Sequence, residues 1–436
     1  MFFLSLLWQR NLMHRRGFLL FLSFSLGIVL PIACSAADWP QLLGPNRNGT
    51  YHGPKIASEW PPEGPAIVWQ KNIGAGFSGP VVADQRVILF HREKDQEIVD
   101  CLATSSGHRH WTFAYEATYR DQFGFDPGPR ATPTIADDRV YTLGADGIIH
   151  CLDLKTGKQI WKNNIKSQFN TAQTFFGMAC SPLIENGSVL LNIGGQPEAG
   201  IVALNTLDGK LRWQATSDEA SCASPVSVTV DGRRLSFFLT REGLVILQAG
   251  KQNTSELYRQ RWRSRTNASV NAATPLVIGN LLFLSSSYQT GAILFRLQEG
   301  QVSTVWSGTE ILSNHYATSV HHQGMLYGFH GRQEQGPELR CIELESGKVK
   351  WSAKQFPSGT LIQADDRILA LTEDGRLWMI QASPKSCKVL ARAQILPRVV
   401  RAHPALASGF LYARSSTKLV CVDLRSHILS HRQLQP

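Results

Sequence analysis

The sequence predicts an all-β protein: an eight-bladed β-propeller with four-stranded antiparallel blades. Two observations predict the fold. One self-similar block recurs eight times, its closing tryptophans 42 to 52 residues apart, and each block is made of short β-rich runs rather than apolar stripes at helical spacing. A third observation, a tryptophan count displaced by one towards the N-terminus, predicts how the ring closes.

The elements follow in chain order. Residues 17–33 are uncharged and strongly apolar, Arg10, Arg15 and Arg16 precede them, and Ala33, Cys34, Ser35, Ala36 and Ala37 follow. That order of basic, apolar and small residues is a secretory signal, so 1–37 is expected to be removed and the mature chain exported to the periplasm or cell envelope. The residues leave three alternatives open: an uncleaved anchor, a lipid on Cys34, or a twin-arginine signal at Arg15-Arg16. Met13 is a second candidate start. Residues 38–64 form a Pro/Gly-rich leader, 65–424 the propeller, and 425–436 a C-terminal tail. After the signal no stretch is apolar over the length needed to span a membrane.

The clearest block opens with Ala131-Thr132-Pro133. It continues through Asp138-Arg139-Val140-Tyr141, Gly144-Ala145-Asp146-Gly147 and Cys151-Leu152-Asp153, and closes with Thr156-Gly157-Lys158 and Trp161. Openings recur at Pro80, Pro133, Pro182, Pro225, Pro275, Ser319, Thr360 and Pro404. A period near 40–50 residues signals a propeller or a helical array. Runs such as Arg86-Val87-Ile88-Leu89-Phe90, bounded by Asp-Gly, Asn-Gly or Thr-Gly turns, decide for strands. Proline is tolerated at the start of an inner strand, where its missing N–H costs little.

Closing tryptophans fall at Trp69, Trp111, Trp161, Trp213, Trp262, Trp306 and Trp351, on the fourth strand of each block. Trp69 precedes the first opening, and the block from Pro404 through Cys421-Val422-Asp423 lacks a closing tryptophan. The strand around Val68-Trp69 is therefore expected to complete the last blade. Such a clasp removes two open sheet edges.

Composition narrows the function classes. Charged residues make up 18% of the chain, below the ~25% of an average domain, which excludes a disordered chain, a coiled coil and a small disulfide scaffold. The net charge of +10 comes from scattered bases, so no nucleic-acid partner is expected.

The Thr-Gly-Lys-x-x-Trp closure of Leu152 to Trp161, and its variant from Leu204 to Trp213, resembles the repeat of pyrroloquinoline-quinone (PQQ)-type propellers. That family includes quinoprotein alcohol dehydrogenases and the propeller lipoprotein of the outer-membrane barrel-assembly machine. The leader Trp39-Pro40-Gln41-Leu42-Leu43-Gly44-Pro45-Asn46-Arg47-Asn48-Gly49 is similar to that of exported bacterial single-domain PQQ-like propellers. So are Gly128-Pro129-Arg130-Ala131-Thr132-Pro133, Asn271-Ala272-Ala273-Thr274-Pro275, Asn314-His315-Tyr316-Ala317-Thr318 and Leu371-Thr372-Glu373-Asp374-Gly375. The resemblance implies an eight-bladed fold and leaves PQQ with calcium open as a cofactor. Catalytic members hold the quinone against an adjacent Cys-Cys disulfide, and this chain has no adjacent cysteines and no haem-attachment motif.

Other motifs are expected to be structural. Gly74-Ala75-Gly76-Phe77-Ser78-Gly79 has the GxGxxG form, but it runs into a strand and lacks the helix that a dinucleotide site needs. Cys101, Cys151, Cys341 and Cys421 occupy equivalent places in four blocks, so they are too far apart to pair and are expected to be free and buried. Cys180 and Cys222, each just ahead of an opening, leave a disulfide open. His108, His110, His321 and His322 read as solvated turn residues.

Inner strands aim their leading ends at the axial funnel. The residues three places before each opening are therefore the candidate site: Phe77, Arg130, Ala179, Cys222, Ala272, Tyr316, Pro357 and Arg401. Arg130 and Arg401 are the charged members, in blades separated only by blade one, and two guanidinium groups there suit one anion. His403, His315 and Asn271 add donors, and Tyr316 or Phe77 a stacking surface. The alternative is that each arginine ties a local acid such as Asp126. The expected function is a non-catalytic exported binding or scaffold propeller that recognises a protein, peptide, glycan or small anionic ligand at the funnel face. The alternative is a PQQ-dependent oxidoreductase acting on a small alcohol or sugar.

Overall fold

A computed structural model of the chain describes residues 37–172, 176–249 and 253–426. The expected signal segment lies outside these residues apart from Ala37, as does the expected tail beyond residue 426. The described residues form eight sheets, each built on four antiparallel strands. Seven are built from consecutive strands, over 81–116, 134–164, 183–215, 226–261, 276–308, 320–353 and 359–394. The eighth joins Ala405–Ala407, Phe410–Arg414 and Lys418–Asp423 to Ile67–Asn72. Trp69 there lies opposite Cys421, so the N-terminal strand completes the last blade as its fourth member. The inner strands of blades eight and one, Ala405–Ala407 and Val81–Ala83, are in contact, which closes the ring. No helix among the described residues is long and apolar enough to cross a membrane.

Burial explains the strand chemistry. The middle strands are covered on both faces by neighbouring blades, as in Ser188–Gly195, where every residue is buried. Fourth strands alternate with exposed residues, as in Arg109–Glu116, because their outer edge meets solvent.

The Thr-Gly-Lys-x-x-Trp signature has a direct physical cause between blades. The Nε1–H of Trp69 donates to the Thr104 carbonyl of the next blade at 2.8 Å, that of Trp111 to Leu154 at 3.0 Å, and that of Trp161 to Thr206 at 2.9 Å. Trp306 and Trp351 repeat the bond to Leu344 and Ser383. The indole lies flat on the glycine of that next turn. A Cβ on Gly157, which has φ +71°, would sit 2.5 Å from the Trp111 ring. Only glycine satisfies both the left-handed turn and the close approach.

Cys101, Cys151, Cys341 and Cys421 are fully buried and free, and Cys180 and Cys222 are free as well. His108 and His110 are exposed, as expected. His321 and His322 depart from expectation: they belong to the inner strand Val320–His322 and are half-buried, with His322 Nδ1 3.1 Å from the Gln363 amide. Residues 74–79 lead into the strand Val81–Ala83 with no helix after them.

The leader does something the sequence did not announce: it fills the channel. Trp39 exchanges both backbone bonds with Val82 of blade one at 2.8 Å. The carbonyl of Pro40 accepts from Ile135 of blade two. Thr50–Tyr51 then runs parallel to Gly359–Ala364, adding a fifth strand at the inner edge of blade seven. Buried backbone must find partners, and the inner strands supply them. The leader motif is shaped for this path. Gly44, at φ +81°, leaves room for the Trp39 ring, and a Cβ on Gly49 would lie 2.8 Å from Val320. Arg47 reaches across the axis to blades two, three and four.

Blades one and two also share a buried polar contact. The His150 ring packs against Tyr115 at 4.3 Å and Phe113 at 5.0 Å. Burial, aided by Lys162, pushes its imidazole down to about 4. The unfolded imidazole titrates near ~6.5. Between these values the unfolded chain holds more protons, so this contribution is intact above pH 6.5 and is lost as pH falls towards 4. Glu97, raised by burial beside Tyr115, acts in the opposite sense. A His150→Phe variant isolates the histidine: its melting temperature should fall less between pH 7 and pH 5 than that of the wild type.

Candidate functional site

A cup of about 390 Å³ lies on the face where the inner strands begin. Seven of the eight positions three places before an opening line it, Pro357 being the exception. Leu42 of the leader is part of its lining, so the segment that fills the channel also contributes to the cup. Below the mouth, a belt of hydroxyls ties the blades together. Gly79 N–H donates to Thr132 Oγ1 at 3.1 Å, Thr132 N–H to Ser181 Oγ at 2.9 Å, and Ser181 N–H to Ser224 Oγ at 2.9 Å. Thr274 N–H donates to Thr318 Oγ1 at 3.0 Å. The hydroxyls of Thr132, Ser181 and Ser224, each just ahead of an opening proline, thus accept from the preceding blade, which explains these Thr-Pro and Ser-Pro pairs.

Arg130 and Arg401 approach from the same face. Their guanidinium carbons lie 5.7 and 5.5 Å from the centre of the Phe77 ring. They differ in engagement. Arg130, with a side chain only 10% exposed, donates to Asp121 Oδ2 at 2.8 Å and to the Asp126 carbonyl at 3.2 Å. Its partner carboxylate is therefore Asp121, and Asp126 contributes its main chain. Asp121 also accepts the N–H groups of Phe123, Phe125 and Asp126. Burial pushes this carboxyl up, but the N–H groups of Asp126 and Phe123 and the Arg130 charge outweigh it and hold it below the usual range. Arg401 gives only its Nε to Glu373 Oε1, at 3.0 Å. The Tyr316 hydroxyl donates to the same oxygen at 3.0 Å, and its phenol is pushed well up, first by burial and then by Glu373.

His315 and His403 also line the cup. Tyr288 Oη lies 2.9 Å from His315 Nε2, and Gln333 contacts Nδ1. Burial holds the His315 imidazole low and pushes His403 down to about 4, so both are neutral at pH 7. Asn271 is not brought into the cup. Its amide donates to the Thr240 and Trp262 carbonyls at 2.8 and 3.1 Å and accepts from Ser286, which makes it a strut between blades four and five.

The rim was absent from the sequence reading. Phe123 and Phe125 are 51% and 52% exposed, and with Phe176 they form a cluster whose ring centres lie 5.6 to 6.4 Å apart. Arg332 caps the Tyr288 ring at 4.6 Å on the opposite wall and pairs with Glu334 at 3.3 Å. A signal for the aromatic cluster did exist. From a closing tryptophan to the next opening the chain takes 22 residues after Trp111 and 21 after Trp161, against 9 to 13 elsewhere. Those two insertions carry the three phenylalanines.

A quinone with calcium does not fit these residues. Among the described residues no three His, Cys, Asp or Glu side chains converge as a metal seat. Asp121 and Glu373 each already serve an arginine, and the Phe77 ring already carries both guanidinium groups.

Comparison with known proteins places this geometry. The family described as outer membrane protein assembly factor BamB matches residues 94–353, more than half of the chain. The Yersinia pestis protein of that name is 23% identical over 267 residues, covering 55% of this chain and 63% of the relative. The chain thus spans about three fifths of the length of the longer-matching curated relatives. Among solved structures, BamB from Moraxella catarrhalis superposes with a TM-score of 0.61 at 16% identity, over 82% of this chain and 99% of that one. A quinohemoprotein alcohol dehydrogenase from Comamonas testosteroni gives 0.65 at 13% identity, over 92% and 83%. At such identities the structural matches show the fold alone, whereas the family match over most of blades one to six shows descent. The chain belongs to the family of the outer membrane protein assembly factor BamB.

Proposed function

We propose that this chain is an exported, non-catalytic binding propeller that docks a segment of another protein in the cup, within the assembly of outer-membrane proteins. The single observation that carries this reading is the aromatic rim: Phe123 and Phe125 stand half-exposed at an open mouth. Exposed aromatic clusters above a concave pocket are where binding energy concentrates. The basic-apolar-small order of residues 10–37 supports export, and the names of the relatives support the assembly context.

The test is direct binding to an array of peptides tiling an outer-membrane β-barrel protein. The wild-type chain should retain a subset of them. A Phe123→Ala/Phe125→Ala variant should bind that subset roughly ten- to a hundredfold more weakly, as expected for two hot-spot aromatics, with the same melting temperature. The oxidoreductase alternative is tested by loading the chain with PQQ and calcium and following dye reduction with small alcohols. Turnover there, with no peptide retained, would overturn the binding reading.

A further inference from the structure

We propose that Arg401 is the ligand-docking cation of the cup, and that the occupant is a partner-protein segment in which one acidic side chain is flanked by apolar ones. This rests on the reading of the cup as a protein-binding site and goes further by naming the contact residue and the chemistry it selects.

Three arginines reach the cup, and they differ in how they are held. Arg130 is tied to Asp121 and to the main chain of its own loop. Arg332 is stacked on Tyr288, with its Nε 3.3 Å from Glu334, away from the phenylalanine cluster. Arg401 is held by its Nε, its two terminal nitrogens have no hydrogen-bond partner among the described residues, and of the two arginines with an open fork it is the one beside the phenylalanine rim, 5.5 Å from Phe125. Glu373 fixes the guanidinium in place without covering the fork that a carboxylate engages through two parallel bonds. Holding the stem beforehand also reduces the entropy lost on binding.

The surroundings specify what must accompany the carboxylate. The Arg401 guanidinium lies 5.5 Å from the Phe125 ring as well as from Phe77. An acid that reaches the fork therefore brings its neighbouring groups against Phe125, Phe123 and Phe176. Those rings sit at the mouth, and a small acid that merely fills the cup leaves them in water. A chain passing across the mouth covers them, which favours an extended segment over a free metabolite. Arg130 acts as a positioning residue: through Asp121 it shapes the loop that carries Phe123 and Phe125.

The experiment titrates the mature chain with two capped peptides, acetyl-Gly-Phe-Glu-Phe-Gly-amide and the same sequence with Gln for Glu, and with 4-phenylbutyrate as a small acid. The wild type should bind the Glu peptide at least tenfold more tightly than the Gln peptide. Arg401→Gln should reduce that ratio to about one. Arg401→Lys, which keeps the charge but loses the fork, should give an intermediate ratio and guards against misfolding of the first variant. Arg130→Gln should weaken both peptides together and leave the ratio unchanged. Equal binding of the two peptides, or a preference that survives Arg401→Gln, would overturn this inference and leave the binding reading standing. Tight binding of 4-phenylbutyrate with neither peptide bound would overturn the protein-segment assignment. No binding of any probe here, together with an empty peptide array, would remove both.

Discussion

Replacing Arg47 with Ala is expected to lower the stability of the folded chain by roughly 3–5 kcal/mol, one of the largest single-residue effects available in this protein. Arg47 is 2% exposed at the centre of the ring. Its nitrogens donate to the carbonyls of Ser181 at 3.3 Å, Pro182, and Pro225 at 3.0 Å, and to Thr134 Oγ1 at 3.4 Å. Its Nε is held by Gln41 of the leader at 2.8 Å. Burial pulls the guanidinium down to about 10, so it remains charged at neutral pH, surrounded by main-chain dipoles. Removing it strands acceptors on two blades, each costing roughly 1–3 kcal/mol when left buried and unpaired. The Pro182 carbonyl keeps the Thr134 hydroxyl at 2.6 Å, which limits the loss there. Arg47→Met, which keeps most of the volume, should recover only the packing part. The urea midpoint should fall in both variants, more in the Ala variant. Equal midpoints for wild type and Arg47→Ala would show that the leader is not seated in the channel as described.

A comparable loss, roughly 3–5 kcal/mol, is expected for Trp69→Ala. The Trp69 indole covers Gly107, lies 5.9 Å from the Tyr412 ring, and donates to Thr104. What sets it apart from the other closing tryptophans is connectivity. Elsewhere the fourth strand is tied to the third by a short turn. The strand Ile67–Asn72 reaches blade eight only through non-covalent bonds to Lys418–Asp423. Weakening it opens the ring at the junction of blades eight and one. Trp111→Ala, within one continuous blade, should cost less. Hydrogen exchange distinguishes the two: the amides of 418–423 should lose protection in the Trp69 variant and retain it in the Trp111 variant.

Much of the site was legible because a propeller repeats one geometry eight times. The residue three places before each opening projects into the funnel in any blade, so a single frame located Phe77, Arg130, Tyr316 and Arg401 without knowledge of the rest. His315 and His403, close to those positions in the chain, line the cup as well. Asn271 was misplaced because its side chain turns back to bond Thr240 and Trp262, a choice made by neighbouring blades and not by position in the repeat. The rim phenylalanines went unread because they lie on insertions, where the repeat gives no frame. His321 and His322 were read as turn residues because a three-residue inner strand is too short to show alternation.

The sequence by itself determined the class, the blade count, the clasp and the burial of the cysteines. Each follows from contacts between a blade and its neighbour, and a contact repeated at fixed period leaves a periodic trace in the chain. Tertiary structure alone decided that the leader plugs the channel, that Arg130 is tied to Asp121 while the Arg401 fork stays open, and that the cup is aromatic-rimmed. Those features depend on single contacts between distant segments: Arg47 with a carbonyl 178 residues away, and Arg401 with Glu373 28 residues away. Contacts made once, across large separations, have no period. Their partners are selected by the closed ring, which exists only after the blades have docked.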